Sequence, residues 1–201
     1  MSPSTTPNAE AVLQRYDRSF TVLDDVVRAV PASSWADPSP CPGWTTKDVL
    51  AHLLWGQDLV AAWAAGNPPA APGDQDWTQG VPDDELAQLW TMVRTRTRQS
   101  LTPEVMAREV HTRLFGTITI KQFLWTFPND ALLHAWDVAT ATGVAIELPR
   151  DIIDALLQWS QDTEEILRLP GGFGPRRPVA EDADLVDRWL AFAGREVTTS
   201  R

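Results

Sequence analysis

Apolar residues recur along this chain at helical intervals. Between Asn8 and Val30, the residues Leu13, Tyr16, Phe20, Leu23, Val27 and Val30 fall at steps of three and four, which predicts an amphipathic helix that Pro31 ends. A loop rich in Pro and Ser leads to Gly43-Trp44. Thr45-Thr46-Lys47-Asp48 then has the spacing of a capping box, with Asp48 able to reach back three residues to Thr45. It predicts a second helix to about Ala65, with Val49, His52, Leu53, Gly56, Leu59, Val60 and Trp63 on one face. That inward stripe carries a histidine.

A Gly- and Pro-rich loop spans Gly66 to Pro82, and Asp83-Asp84-Glu85 suits the positive end of a third helix bearing Leu86, Leu89, Trp90 and Val93. The period changes between Val110 and Ile120. There Val110, Thr112, Leu114, Ile118 and Ile120 alternate with His111, Arg113, Thr117 and Thr119, suggesting a short hairpin or an extended connection, with His111 on its solvated side. A fourth helix is expected from near Ile120 to the Gly143 stop, with a kink or tightened turn at Pro128. Pro149 suits the start of a fifth helix, which would carry Ile152, Ile153, Leu156, Leu157, Trp159, Ile166 and Leu167 before Gly171-Gly172 breaks it. A short last helix is expected over about Asp182 to Ala193, capped by Gly194. The fold class is therefore all-α, a four-helix bundle with long connections, extra short helices and a short hairpin.

Composition narrows the chemistry. A length of 201 residues suits one domain over 1–201, since a core of this size can bury about 70% of the unfolded surface without staples. A single Cys, Cys41, rules out an intrachain disulfide or a cysteine-held metal cluster and favours a reducing cytoplasm. Seventeen basic against 27 acidic residues give a net charge of −10, which disfavours nucleic acid as a partner. Met1 to Glu10 lacks the order of a signal peptide, and the longest apolar stretch, Leu59 to Ala65, falls far short of the ~20 residues that span a bilayer. A cytoplasmic protein without membrane partners is expected.

With three His in the chain, two of them in apolar helical surroundings, the candidate chemistry is a metal site. Asp130 and His134, four residues apart on one helix, lie about 6 Å apart along its axis and within roughly 40° of one direction. His52, on the inward stripe of another helix, can face them, as ligands from facing helices do in bundles. Two imidazoles and a carboxylate suit zinc, nickel, iron or manganese, and three protein ligands leave a coordination position open. An Asp/His pair at this spacing is also what a simple surface hydrogen bond looks like. Asp137, three residues after His134, can orient an imidazole, accept a proton, or lie exposed. Trp44 and Trp136 flank the two blocks as candidate walls of a thiol or substrate pocket, or as core residues. Arg176 and Arg177 are candidates to meet carboxylates of a thiol or substrate, or to be solvated. Cys41 is expected to be a packed structural thiol, and no Cys/His pair usable for catalysis is expected. Gly-x-Ser-x-Gly, His-Glu-x-x-His and phosphate-loop motifs are absent.

The stretch Pro40-Cys41-Pro42-Gly43-Trp44-Thr45-Thr46-Lys47-Asp48-Val49-Leu50-Ala51-His52-Leu53 resembles the loop-and-helix signature of the mycothiol-dependent maleylpyruvate isomerase family, a branch of the DinB-like metal-binding bundles. Asp130-Ala131-Leu132-Leu133-His134-Ala135-Trp136-Asp137 is similar to the same family's acid-x-x-x-His-x-Trp-Asp segment, and the ending from Phe173 to Arg195 resembles that of its short actinobacterial members. The resemblance implies a DinB-like four-helix bundle with His52, Asp130 and His134 as metal ligands, usually of zinc. Asp130 stands where the isomerase branch resembles a Glu, one methylene longer, and that branch has a further carboxy-terminal domain for which 201 residues leave no room.

A divalent ion with an open position binds a thiol as thiolate, so the protein needs no nucleophile of its own. The expected function is thus metal-dependent chemistry in which a low-molecular-weight thiol, mycothiol by resemblance, attacks a small electrophilic substrate, as a thiol S-transferase or a thiol-dependent isomerase. The rival readings are a non-catalytic metal- or ligand-binding bundle and a metal-dependent hydrolase using water. Oligomeric state stays open, a homodimer included.

Overall fold

The computed structural model describes residues 7–197. The helical elements among them are α1 (Ala9–Ala29), α2 (Thr46–Ala65), α3 (Leu86–Ser100), α4 (Pro103–Met106), α5 (Ile120–Thr142), α6 (Arg150–Asp162), α7 (Glu164–Leu167) and α8 (Leu185–Phe192). Strands β1 (Glu109–Thr112) and β2 (Gly116–Thr119) pair as a short hairpin. The chain packs as two compact units. Among the described residues, the first runs through Val110 and resumes over Thr117–Ile146; the second comprises His111–Gly116 and the residues from Glu147 onward.

The first unit is a four-helix bundle in which α1 packs on α5 and α3, and α2 packs on α3 and α5. Going round the ring, the order is α1, α5, α2, α3. Its core takes Tyr16, Phe20, Leu23 and Val27 from α1, Leu50, Leu53 and Val60 from α2, Leu86 and Trp90 from α3, and Ile120, Leu124, Ala131 and Val138 from α5. Each large apolar side chain so buried is worth about 1.5–3 kcal/mol relative to exposure. Burial pushes the Tyr16 hydroxyl up to about 12, so it stays protonated and donates to Gln57 Oε1 at 3.0 Å, joining α1 to α2.

The predicted caps form. Thr45 Oγ1 accepts from the Asp48 amide at 3.2 Å while the Asp48 carboxylate accepts from the Thr45 amide at 2.8 Å. Helix α5 opens on a second box, Thr119 with Gln122, and ends on Gly143 at φ 70°. It runs unbroken through Pro128, whose missing amide would have bonded the Leu124 carbonyl. Two expectations are corrected. The fifth helix ends at Asp162, where the backbone of Thr163 leaves helical geometry at φ −118°, and α7 restarts beyond it. The last helix begins at Leu185, where Asp184 caps the Val186 amide at 2.9 Å, and ends at Phe192.

The second unit packs α6 against α8 and α7. Ile152, Ile153, Leu156 and Leu157 meet Trp189, Leu190 and Phe192 in its buried set. Arg113, near the hairpin's tip, donates to the Pro170 carbonyl at 2.9 Å, and Phe115 lies 6.2 Å from the Trp159 ring.

Candidate metal centre

Helix α2 brings His52 to α5 because Gly56, one turn further on, has no side chain. A Cβ there would meet Phe127 Cζ of α5 at 3.0 Å, so glycine lets the two helices close at the level of the site. Across that gap His52 Nε2 lies 3.4 Å from Asp130 Oδ1, and His134 Nε2 lies 3.5 Å from the same oxygen. The ligand atoms of His52, Asp130 and His134 are all within 4.8 Å of one another. Donors about 2.0–2.1 Å from a tetrahedral ion are separated by about 3.4 Å, so the two measured edges match the geometry that zinc-type coordination requires. His134 is nearly buried, whereas His52 and Asp130 are partly exposed at 26% and 37%, which leaves the group a face to solvent.

The sequence placed Asp137 near this group, and the structure shows how. Its carboxylate, 0% exposed, accepts from His134 Nδ1 at 2.9 Å. That bond keeps the Nδ1 proton in place and leaves Nε2 facing Asp130, where it can give its lone pair to an ion once its own proton has left, the arrangement that supports metal-bound imidazoles. Cys41 Sγ donates to the same Asp137 oxygen at 3.1 Å and stands 3.9 Å from His134 Nδ1. Cys41 therefore belongs to the support of the site, in contact with a histidine that the sequence did not pair with it.

Electrostatics bind the cluster further. Burial disfavours charge on Asp130, yet the imidazoles of His52 and His134 outweigh it and hold the carboxyl far below its usual range. Burial likewise disfavours an imidazolium at His134, but the Asp130 carboxylate, with the hydrogen bonds to Asp130, Asp137 and Cys41, raises it well above the ordinary histidine value. Cationic occupancy, by a proton or by a metal ion, is what this arrangement favours.

Aromatic rings surround the imidazoles. Trp44 lies 5.3 Å from the His52 ring and 6.2 Å from that of His134, stacked on the latter at 23°, and is 37% exposed. Trp55, which no motif marks, lies 5.6 Å from His52; its place three residues further along α2 is the signal the sequence holds for it. Trp136 is different. Two positions beyond His134, it points about 200° round the helix from it. Arg176 and Arg177 belong to the second unit. There Arg176 is held by Glu164, and Arg177 lies 3.4 Å from Glu196; both line a cleft of about 210 Å³ with Leu157, Val179 and Phe192. His111 is exposed, as expected.

Fold and site together define a helical bundle that gathers a His/Asp/His group between two of its helices. The mycothiol maleylpyruvate isomerase N-terminal domain family matches residues 16–139, more than half of the chain, and the chain belongs to that family. A crystal structure of mycothiol-dependent maleylpyruvate isomerase shares the fold, with a TM-score of 0.63 at 17% identity over 81% of this chain and 75% of that chain. The uncharacterized protein Rv0738 of Mycobacterium tuberculosis is 27% identical over 92% of this chain and 98% of its own length. The uncharacterized protein Rv0036c of the same organism is 31% identical over 61% of this chain and 52% of its own. No helix among the described residues is long and apolar enough to cross a membrane.

Proposed function

We propose that this chain is a metal-dependent enzyme that uses a low-molecular-weight thiol, mycothiol by family, to act on a small electrophilic substrate. The observation that carries the reading is the donor geometry: two imidazole nitrogens at 3.4 and 3.5 Å from one carboxylate oxygen. His52, Asp130 and His134 would hold a divalent ion, zinc before nickel, iron or manganese, because two nitrogens and one oxygen at tetrahedral edge lengths suit it. Such an ion supplies thiol activation, keeping a bound thiol deprotonated at neutral pH.

The chain's own residues do the rest. Asp137 fixes the His134 tautomer, Asp130 balances the two imidazoles, and the Trp44 and Trp55 rings flank His52. The thiol sulfur forms a bond to the electrophilic carbon. Conjugation ends there once a proton from solvent reaches the adjoining atom, whereas isomerisation ends when the same carbon–sulfur bond breaks after rotation and the thiol is released unchanged. A cytoplasmic setting, where small thiols stay reduced, suits either outcome.

The test is a cobalt-loaded preparation titrated with mycothiol and followed by absorption. A thiolate-to-cobalt band that saturates with added mycothiol, and is missing in His52→Ala, supports the reading. Incubation of the zinc-loaded protein with mycothiol and a panel of electrophiles, read by mass spectrometry, then separates adduct from isomer. A metal-loaded protein that shows no thiolate band, and that cleaves esters or amides without thiol, would refute it.

A further inference from the structure

The segment that carries Cys41 and Trp44 is built as a rigid bracket. In Cys41-Pro42-Gly43-Trp44 the Trp44 amide donates to the Cys41 carbonyl at 3.0 Å, Pro42 occupies the second position, and Gly43 the third at φ 80°, the requirements of a type II turn. Ser39 ties the bracket down, since its amide and its hydroxyl both donate to the Trp44 carbonyl at 2.9 Å. An antiparallel bridge between Pro38 and Thr45 closes the base, and Thr45 is already fixed as the cap of α2. The turn's two ends face different tasks. Cys41 points its thiol at Asp137, beneath His134, while Trp44 lies beside the rings of both His52 and His134.

A bracket held by this many bonds around a side chain that is 37% exposed needs a reason, because an indole left open to water costs hydrophobic free energy that burial would recover. Its position supplies one. Trp44 is a partly exposed ring 5.3 Å from one imidazole and 6.2 Å from the other, so a body attached to a sulfur held at the His/Asp/His group has an indole within reach. Thiolate sulfur alone would not use that surface, but the body attached to it would. The apolar face of a pyranose ring is flat, lacks charge and matches an indole in width.

We infer that Trp44 is the platform on which the carbohydrate part of the thiol cosubstrate stacks, so that this residue selects a sugar-bearing thiol over a bare one. The inference rests on the thiol reading of the metal centre and adds to it the residue that recognises what the sulfur carries. Trp44 is not among the residues that would hold an ion. Its loss therefore weakens the thiol that has a sugar and spares the thiol that has none.

The experiment is isothermal titration of the zinc-loaded protein with mycothiol, whose cysteinyl group is carried on glucosaminyl-inositol, and in parallel with N-acetylcysteine. Wild type, Trp44→Ala and Trp44→Phe are compared after zinc content and circular dichroism have shown each to be loaded and folded. The expected result is that Trp44→Ala weakens mycothiol binding about tenfold, leaves N-acetylcysteine within about twofold, and that Trp44→Phe recovers most of the loss. Equal weakening of both thiols, or no change for mycothiol, would overturn the inference while leaving the thiol reading in place. If wild type bound neither thiol, the thiol reading itself would fall, and this inference with it.

Discussion

Asp137 shows how little separates a structural carboxylate from a functional one. Wholly buried, it accepts from both His134 Nδ1 and Cys41 Sγ. Replacing it by Asn keeps the size and removes the charge, and the expected outcome is a 10–100-fold loss of zinc affinity in a chelator competition, with the helical signal retained. Protons compete with the ion for the same nitrogens. Since Asp130 holds His134 protonated above the ordinary histidine range in the metal-free protein, loading releases protons. Zinc affinity is accordingly expected to rise with pH through and beyond that range and to fall as pH drops; a pH-independent affinity would contradict the ligand assignment. That His52, Asp130, His134 and Asp137 come together was legible from spacing and resemblance, because a helix converts sequence intervals into directions. Cys41 was not. It lies on a turn outside the helices, where spacing sets no direction, and its contact with Asp137 reaches across 96 positions of chain.

Between elements, the site depends on how closely α2 and α5 approach, and Gly56 sets that distance against Phe127. Phe127 has little room to retreat, packed 5.3 Å from Phe20 and 5.1 Å from Phe123 between ring centroids. Gly56→Leu is expected to destabilise the fold by about 1–3 kcal/mol in denaturant unfolding and, by parting His52 from Asp130, to weaken metal binding as well. Removing the cap of α2 is a milder change: Thr45→Ala should cost about 1 kcal/mol. The long helices were readable because each has a periodic apolar face, a capping box or a terminal glycine. Helix α4, four residues long, offers too few positions for a period to be recognised, and the stop at Thr163 falls in a sequence whose apolar rhythm continues to Leu167 with no Gly or Pro to mark the break. Apolar rhythm therefore reported which residues are buried better than it reported where the helix stops.

At the scale of the molecule, the net charge of −10 argued against a phosphate backbone as partner, and the family now turns attention to small molecules. Two compact units were not legible, because both bury apolar helical faces of the same kind and no change of composition marks the passage from α5 to α6. If His52, Asp130 and His134 share an ion only in the folded chain, zinc must stabilise that chain by mass action. At a free concentration about a hundred times the dissociation constant, the gain is about 2.7 kcal/mol, seen as a raised midpoint of thermal unfolding in wild type and absent from His52→Ala. The most direct test of the central claim, that these three residues form an open metal centre, is the metal content of purified protein by elemental analysis. Close to one divalent ion per chain, lost in His52→Ala with the fold intact, is the predicted result. A wild-type protein that is metal-free and cannot be loaded with zinc, nickel, iron or manganese would contradict it.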